Sequence, residues 1–136
     1  MLRELGVTAA LSLLLAAAAH AQAFDGVYRG AGTLTKVPPS ATAAGNCPSV
    51  GYKASVVFTI AGQSITAVYL DRTASGRVNA DGSFTIHYTA GYWGGGPSSG
   101  ATPVTWSGRV RGSRIEGTYV VRAPGGDCSG IINASR

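Results

Sequence analysis

Few side chains in this chain have the chemistry of an acid–base catalyst. The sequence contains two histidines and six acidic residues, and His20 and Glu4 belong to its N-terminal segment. Asp71 and Glu116 are the candidate acid and base of a hydrolase, with His87 as a third group. Of the remaining acidic side chains, Asp81 and Asp127 lie in glycine-containing turns, and Asp25 lies next to Gly26 at the start of the first strand. Because no G-x-S-x-G nucleophile motif is present, we expect a protein that is not an enzyme, with a hydrolase as an alternative.

A glycine-rich stretch at residues 90–100 contains two adjacent aromatic residues, Tyr92 and Trp93. Irregular stretches of this length are commonly functional loops. We expect Tyr92, Trp93 and Trp106 to contact a ligand, because such rings combine a large apolar area with a polar edge. The alternative is that the two loop rings fold back and close the end of the domain. Zinc, phosphate-loop and dinucleotide motifs are absent from the sequence, so no metal or cofactor is expected.

The formal net charge of the whole chain is +5, and arginines concentrate in its second half. Five arginines there make up a predicted basic surface: Arg77, Arg109, Arg111, Arg114 and Arg122. Such a surface could meet an anionic polysaccharide, a lipid head group or a nucleic acid, or it could be a solvated face that maintains solubility. Aromatic residues are not interleaved with these arginines, so specific nucleic-acid binding is not expected.

The chain has only two cysteines, Cys47 and Cys128. In an exported protein an even pair favours a disulfide. No C-x-x-C spacing is present, and His87 is the one histidine that could join the pair in a metal site. We therefore predict a disulfide that connects a long early loop to the start of the last strand.

The elements that must position these residues are predicted to be β-strands, because apolar residues alternate with period two after residue 23. Glycine accounts for 20 residues and charged residues for only 12% of the chain, as is typical of a turn-rich β protein. The predicted strands cover residues 24–35, 52–60, 64–71, 75–78, 83–88, 104–110, 115–121 and 128–135. Alternation places His87 on the solvent side of its strand and Trp106 on the inner side.

A Ser-Gly-Arg-Val motif occurs twice, at residues 75–78 and 107–110, each time followed by a turn and a second strand. Two such hairpins in tandem predict an antiparallel meander of about eight strands, which we expect to form a small closed or nearly closed barrel. An outer-membrane barrel would need a lipid-facing apolar band, whereas the predicted outer faces have charged and hydroxyl side chains.

The N-terminal segment has the layout of a secretory signal peptide. Arg3 precedes an apolar run over residues 7–19, and two overlapping A-x-A patterns end at Ala21 and Ala23. The run is shorter than the roughly 20 residues that span a bilayer. We predict a signal-peptide helix in residues 1–23, cleavage after Ala23 or Ala21, and an all-β domain at residues 24–136 with no membrane span. The mature protein is expected in the periplasm or outside the cell.

The domain resembles small exported bacterial β proteins in the segments at residues 24–30, 76–84 and 108–117 and in its late Cys128. Its layout is loosely similar to lipocalins, although Gly26-Val27-Tyr28 has tyrosine where their early Gly-x-Trp signature has tryptophan. It also resembles avidin-like barrels in strand number. The ligand pocket of those barrels is lined by several tryptophans, whereas this chain has only Trp93 and Trp106. Periplasmic inhibitors of secreted metalloproteases are similar in layout, with one disulfide in a small barrel.

These observations predict an exported, non-enzymatic protein that binds an unidentified small molecule, glycan or other envelope component. The alternative is a protein–protein interaction module, such as a periplasmic protease inhibitor or an envelope structural protein. A hollow interior under the aromatic loop would favour the first prediction, and a filled interior with an exposed apolar patch would favour the second.

Overall fold

The structure, a computed structural model, describes residues 23–40, 47–69, 72–90, 102–123 and 125–136. Eight β-strands make up most of this part of the chain: β1 (Gly26–Lys36), β2 (Lys53–Ala61), β3 (Ser64–Tyr69), β4 (Arg72–Val78), β5 (Ser83–Ala90), β6 (Thr102–Arg111), β7 (Arg114–Ala123) and β8 (Gly126–Ser135). Their bounds differ from the predicted ones by a few residues. The signal-peptide helix predicted for residues 1–23 falls almost wholly on residues 1–22, which lie outside the described residues.

The strands form a closed barrel in which each strand pairs antiparallel with the next and β8 pairs with β1. The predicted eight-stranded meander and its closure are therefore confirmed. Closure gives every strand a partner on both sides, which matters for strands with so few charged residues to discourage edge-to-edge association. The weakest pairing is between β4 and β5, which are in register only at Arg77 with Thr85 and at Val78 with Phe84.

The two ends of the barrel are built differently. At one end, which we call the hairpin end, the turns between β2 and β3, β4 and β5, and β6 and β7 are short. Gly62, Gly82 and Gly112 have φ values of +63°, +85° and +57° in these turns, which favours glycine there. At the other end, the loop end, β1, β3, β5 and β7 finish and β2, β4, β6 and β8 begin.

Alternating side chains from all eight strands fill the barrel. Inward residues of β2, for example, are almost fully buried while Lys53, Ser55 and Thr59 face solvent. At the hairpin end the core includes Tyr28, whose hydroxyl donates a hydrogen bond to the Phe24 carbonyl at 2.8 Å. The Arg136 guanidinium lies 5.4 Å from the centre of the Tyr28 ring. Apolar burial, with about 25 cal/mol per Å² of apolar surface, is the main source of stability.

The closing pair, β1 and β8, is unusually close around Gly30. A Cβ built on Gly30 would lie 1.9 Å from the Asn133 carbonyl oxygen and 2.5 Å from the Ala134 Cα. Any larger residue would therefore have to push the two strands apart. Gly30 is thus required by the closure of the barrel, whereas a Cβ on Gly32 would meet only the Tyr119 ring.

Cys47 and Cys128 form a disulfide, with Cα atoms 6.6 Å apart, which confirms the predicted pairing. Both residues are buried, at 7% and 0% exposure. Cys47 lies between β1 and β2, and Cys128 lies near the start of β8, where β8 pairs with the end of β1. The bond therefore ties the β1–β2 connection to the closing seam at the loop end.

Candidate functional site

Trp106 is the centre of an aromatic group in the loop-end half of the barrel. The side chain is 2% exposed and comes from the middle of β6. Its ring packs edge-on or tilted against the rings of four neighbours, with centroid distances of 5.6 Å to Phe58, 5.0 Å to Tyr69, 5.6 Å to Tyr88 and 6.3 Å to Tyr119. Edge-to-face pairs of this kind contribute about 0.5–1.5 kcal/mol each beyond the area they bury.

The Tyr119 ring fits into this group because the two neighbouring strands have glycine at the positions that the ring contacts. A Cβ on Gly130 would lie 2.5 Å from the Tyr119 ring, and one on Gly32 would lie 3.2 Å from it. These glycines come from β8 and β1, which pair across the seam with Gly32 opposite Ile132. The absence of side chains at both positions lets a large ring lie flat against the barrel wall.

Three polar atoms of this group are buried and have no hydrogen-bond partner among the described residues: Trp106 Nε1, Tyr88 Oη and Tyr119 Oη. A buried polar group that loses its hydrogen bond to water costs about 1–3 kcal/mol. Most such groups in folded proteins have a protein or water partner. The group therefore presents unsatisfied donors inside an otherwise apolar barrel.

Burial raises the pKa of Tyr69, Tyr88 and Tyr119, to about 12 for Tyr119. The neighbouring Tyr119, Tyr88 and Tyr52 side chains raise the pKa of Tyr69 further. The Trp106 indole N–H lies near the Tyr88 hydroxyl and offsets part of the rise there, although the two atoms do not reach hydrogen-bond geometry. At neutral pH these phenols are uncharged hydrogen-bond donors.

We call Tyr52, Tyr69, Tyr88, Trp106 and Tyr119 the tyrosine cluster. Tyr52, which precedes β2, is 38% exposed, so the cluster extends from the interior to the surface at the loop end. Of the three predicted ligand contacts, Trp106 belongs to this cluster. Tyr92 and Trp93 lie outside the described residues, so their role as contacts stays a prediction.

The candidate catalytic residues that the structure describes do not meet. His87 is exposed on β5, and its Nδ1 lies 3.1 Å from the Thr105 hydroxyl of β6. His87 on β5 and Thr105 on β6 are in register with Val120 of β7. Glu116 is exposed on β7, four residues before Val120. Two strand spacings and four residue rises separate Glu116 from His87 by roughly 16 Å, too far for direct proton transfer. Asp71 lies outside the described residues.

The five arginines of the predicted basic surface are distributed over the barrel. Arg77 donates to the Gln63 side-chain oxygen at 2.6 Å, and Arg109 forms a 3.3 Å salt bridge with Asp81, both at the hairpin end. The carboxylate of Asp81 also accepts hydrogen bonds from the Ser83 hydroxyl and amide, which together with Arg109 lower its pKa. Arg122 lies at the loop end of β7, 3.6 Å from Asp127.

Arg111 and Arg114 are the two that the structure brings together, as cross-strand partners on β6 and β7. Arg114 is also in register with Ser135 of β8, and Ser135 is in register with Arg29 of β1. Arg29, on the first strand, is not one of the five arginines that the sequence predicts for the basic surface. The signal that would have added it is the closure of the barrel, which makes the first strand a neighbour of the last.

Within the described residues, no group of three or more His, Cys, Asp and Glu side chains is arranged to hold a metal ion. No helix in that part of the chain is long and apolar enough to cross a bilayer. Among known proteins, no family model, curated sequence or solved structure matches the chain.

Proposed function

We propose that this chain is an exported, non-enzymatic binding protein that takes up a small molecule or envelope component at the loop end of its barrel. The observation that carries the proposal is the set of buried polar atoms of Tyr88, Trp106 and Tyr119 that have no partner among the described residues. They lie in the half of the barrel where Tyr52 connects the interior to the surface.

The contrast with the hairpin end supports a binding role for the tyrosine cluster. The buried Tyr28 hydroxyl at the hairpin end has its partner within the chain, the Phe24 carbonyl at 2.8 Å. Near the loop end, the Tyr119 hydroxyl has none among the described residues. A binding site tolerates such groups because its ligand, or water in the free protein, supplies the missing hydrogen bond.

The chemistry of the cluster indicates the class of ligand. The phenols are neutral at pH 7, since the ordinary pKa of tyrosine is already about 10 and burial raises it further, and the indole offers a donor only. The surrounding rings present apolar faces and edges. A ligand with an apolar face and uncharged oxygen acceptors fits this set, such as a sugar ring of a glycan or a planar heterocyclic metabolite.

Tyr92 and Trp93 are proposed as further contacts because of their position in the chain. The segment that contains them connects β5 to β6, and these strands provide Tyr88 and Trp106 to the cluster. A ligand held by the cluster would therefore lie close to the two ends of that segment. If the Tyr92→Ala/Trp93→Ala double variant binds every ligand as tightly as the unmodified protein does, this part of the proposal is wrong.

The proposal is tested by thermal shift of the mature, disulfide-bonded protein against a panel of glycans and neutral metabolites. We expect at least one compound to raise the melting temperature, and its affinity to fall several-fold to about tenfold in Tyr119→Phe, the cost of about one hydrogen bond. Tyr28→Phe is the matched control, since it removes a hydroxyl at the hairpin end. A panel without any shift, or an equal loss of affinity in both variants, would overturn the proposal.

The export part of the proposal rests on the N-terminal 23 residues. Expression of the full chain in a bacterial host, followed by cell fractionation and mass determination, should give a periplasmic or secreted product that begins at Phe24 or Gln22. Retention of the intact N-terminus in the cytoplasm would show that the segment is not a signal peptide.

A protein-interaction module is the second candidate, and two observations favour it: side chains fill the described part of the barrel, and an apolar area is exposed on its outer wall. Val27 and Val68 are 44% and 43% exposed, and the half-buried Val57 lies in register with Val68. Grouped exposed valines are typical of contact surfaces. Inhibition of a purified secreted protease that is lost in Val68→Lys and kept in Tyr119→Phe would support this candidate instead of the first.

A further inference from the structure

We propose a second binding site on the outer wall of the barrel, where Arg29 of β1 and Arg114 of β7 flank β8 and together hold the phosphate group of a ligand. The site is independent of the tyrosine cluster. It lies near the hairpin end of the closing seam, whereas the cluster lies inside the barrel towards the loop end.

The register of three strands creates the site. Arg114, Ser135 and Arg29 share one ladder row on β7, β8 and β1. Neighbouring strands are about 4.8 Å apart, so the two arginine Cα atoms are separated by roughly 10 Å. Both side chains are long enough to reach an anion seated over the small Ser135 between them. The Ser135 hydroxyl, between the two arginines, is a further hydrogen-bond donor to such an anion.

A cleft is present at this place. Its volume is ≈ 240 Å³, and it is lined by Arg29, Gly30, Arg114, Asn133, Ala134 and Ser135. The volume is several times the roughly 30 Å³ that one water molecule occupies in the liquid, enough for a tetrahedral oxyanion with part of its hydration. The side chains that line it offer hydrogen-bond donors from both arginines, from the Asn133 amide and from the Ser135 hydroxyl.

The charge balance favours an anion. Among the described residues, Arg29, Arg111 and Arg114 have no salt bridge, unlike Arg109 and Arg122. Arg111 is the cross-strand partner of Arg114 and adds a third positive charge beside the cleft. The acidic side chain of the neighbouring row is Glu116, which is in register with Arg109 and Asn133 and offsets part of this charge.

The arrangement suits phosphate better than carboxylate. A guanidinium binds phosphate oxygens through two parallel N–H donors, and arginine is preferred wherever such bidentate contacts are made. Two guanidinium groups that approach from opposite sides reach different oxygens of a tetrahedral group. A planar carboxylate has only two oxygens, so two opposed guanidinium groups would have to share them.

The test is an NMR titration of the mature protein with sodium phosphate, with sodium chloride added to keep the ionic strength constant. We expect saturable shifts of the Arg29, Arg114 and Ser135 amide signals, and at least a tenfold weaker affinity in Arg29→Gln and in Arg114→Gln. Arg77→Gln is the control, because it removes the same charge on β4, outside the cleft. Shifts that never saturate, or an equal loss in Arg77→Gln, would overturn the proposal.

A second arm separates a soluble phosphate compound from a lipid head group as the source. Sedimentation with vesicles of phosphatidylcholine containing phosphatidylglycerol is compared with the phosphate titration, using the same three variants. Vesicle binding that requires Arg29 and Arg114 but not Arg77 supports a lipid source, and saturable phosphate binding without vesicle binding supports a soluble one. Absence of both would refute the site. Tyr119→Phe should leave either result unchanged, so this test and that of the tyrosine cluster fail separately.

Discussion

Tyr28 and Tyr119 illustrate how the same residue type has two different roles inside one barrel. Tyr28 is buried at the hairpin end, and its hydroxyl donates a hydrogen bond to the Phe24 carbonyl. Tyr119 lies against the Gly130 and Gly32 positions, and its hydroxyl has no partner among the described residues. The first is a structural residue and the second belongs to the proposed binding site. The difference lies in what surrounds each hydroxyl.

The buried tyrosines predict a loss of stability at alkaline pH. The pKa of Tyr119 is raised in the folded protein to about 12, above the value of about 10 in the unfolded chain. Above about pH 10 the unfolded chain therefore releases its proton while the folded protein keeps it, and the free energy of unfolding falls as pH rises. Each such tyrosine contributes at most about 1.4 kcal/mol per pH unit.

Urea unfolding between about pH 9 and about pH 11.5 measures this effect. We expect the free energy of unfolding of Tyr119→Phe to fall less steeply above about pH 10 than that of the unmodified protein, with the curves parallel below it. Equal slopes across the whole range would show that Tyr119 is not shielded from solvent as described.

At the scale of elements, the seam between β1 and β8 is where the barrel leaves the least room for a side chain. The two strands approach so closely at Gly30 that even a methyl group would meet the backbone of β8. The same seam positions the Tyr119 ring through Gly32 and Gly130, and it brings Arg29 next to Ser135. Both proposed sites therefore depend on how these two strands pair.

Substitution of Gly30 by alanine should destabilise the protein by about 3 kcal/mol or more, because the new Cβ would overlap the Asn133 carbonyl and the strands would have to separate. Gly32→Ala is the graded control, since its Cβ would meet only the Tyr119 ring at 3.2 Å, and we expect a smaller loss. Chemical denaturation of both variants measures the difference. A cost for Gly32→Ala as large as that for Gly30→Ala would contradict this description of the seam.

At the scale of the whole molecule, the disulfide and the strand closure reinforce each other. The Cys47–Cys128 bond joins positions 81 residues apart and connects the β1–β2 segment to the closing strand. The barrel has one continuous core rather than two layers, so constraints at the seam affect the entire domain. The loop end, which contains the tyrosine cluster, is the part that this bond holds most directly.

Replacing both cysteines with alanine should lower the free energy of unfolding by about 2–4.5 kcal/mol, the range expected when a cross-link over a long loop is removed. Thermal unfolding with and without a reducing agent provides the matched control. The reducing agent should lower the melting temperature of the unmodified protein towards that of the double variant and leave the variant unchanged. An unmodified protein whose melting temperature resists complete reduction would contradict a stabilising role.

Much of the fold could be predicted because its information is local. Period-two alternation assigned most inward residues of the strands, including Trp106, since side chains on a strand point alternately to the two faces. Short glycine turns predicted which strands are neighbours. The disulfide followed from the presence of only two cysteines. Each of these inferences depends on a few adjacent residues or on a simple count.

The sequence by itself thus determined the strands, their order, the inner faces and the disulfide. Only the tertiary structure decided that β8 pairs with β1 in the register that places Arg29 beside Ser135 and Arg114, and that the rings of Tyr88 and Tyr119 both pack against Trp106. It also separated Glu116 from His87. The physical reason is that alternation specifies a face, whereas the relative height of residues on different strands depends on the tilt and stagger with which the barrel closes.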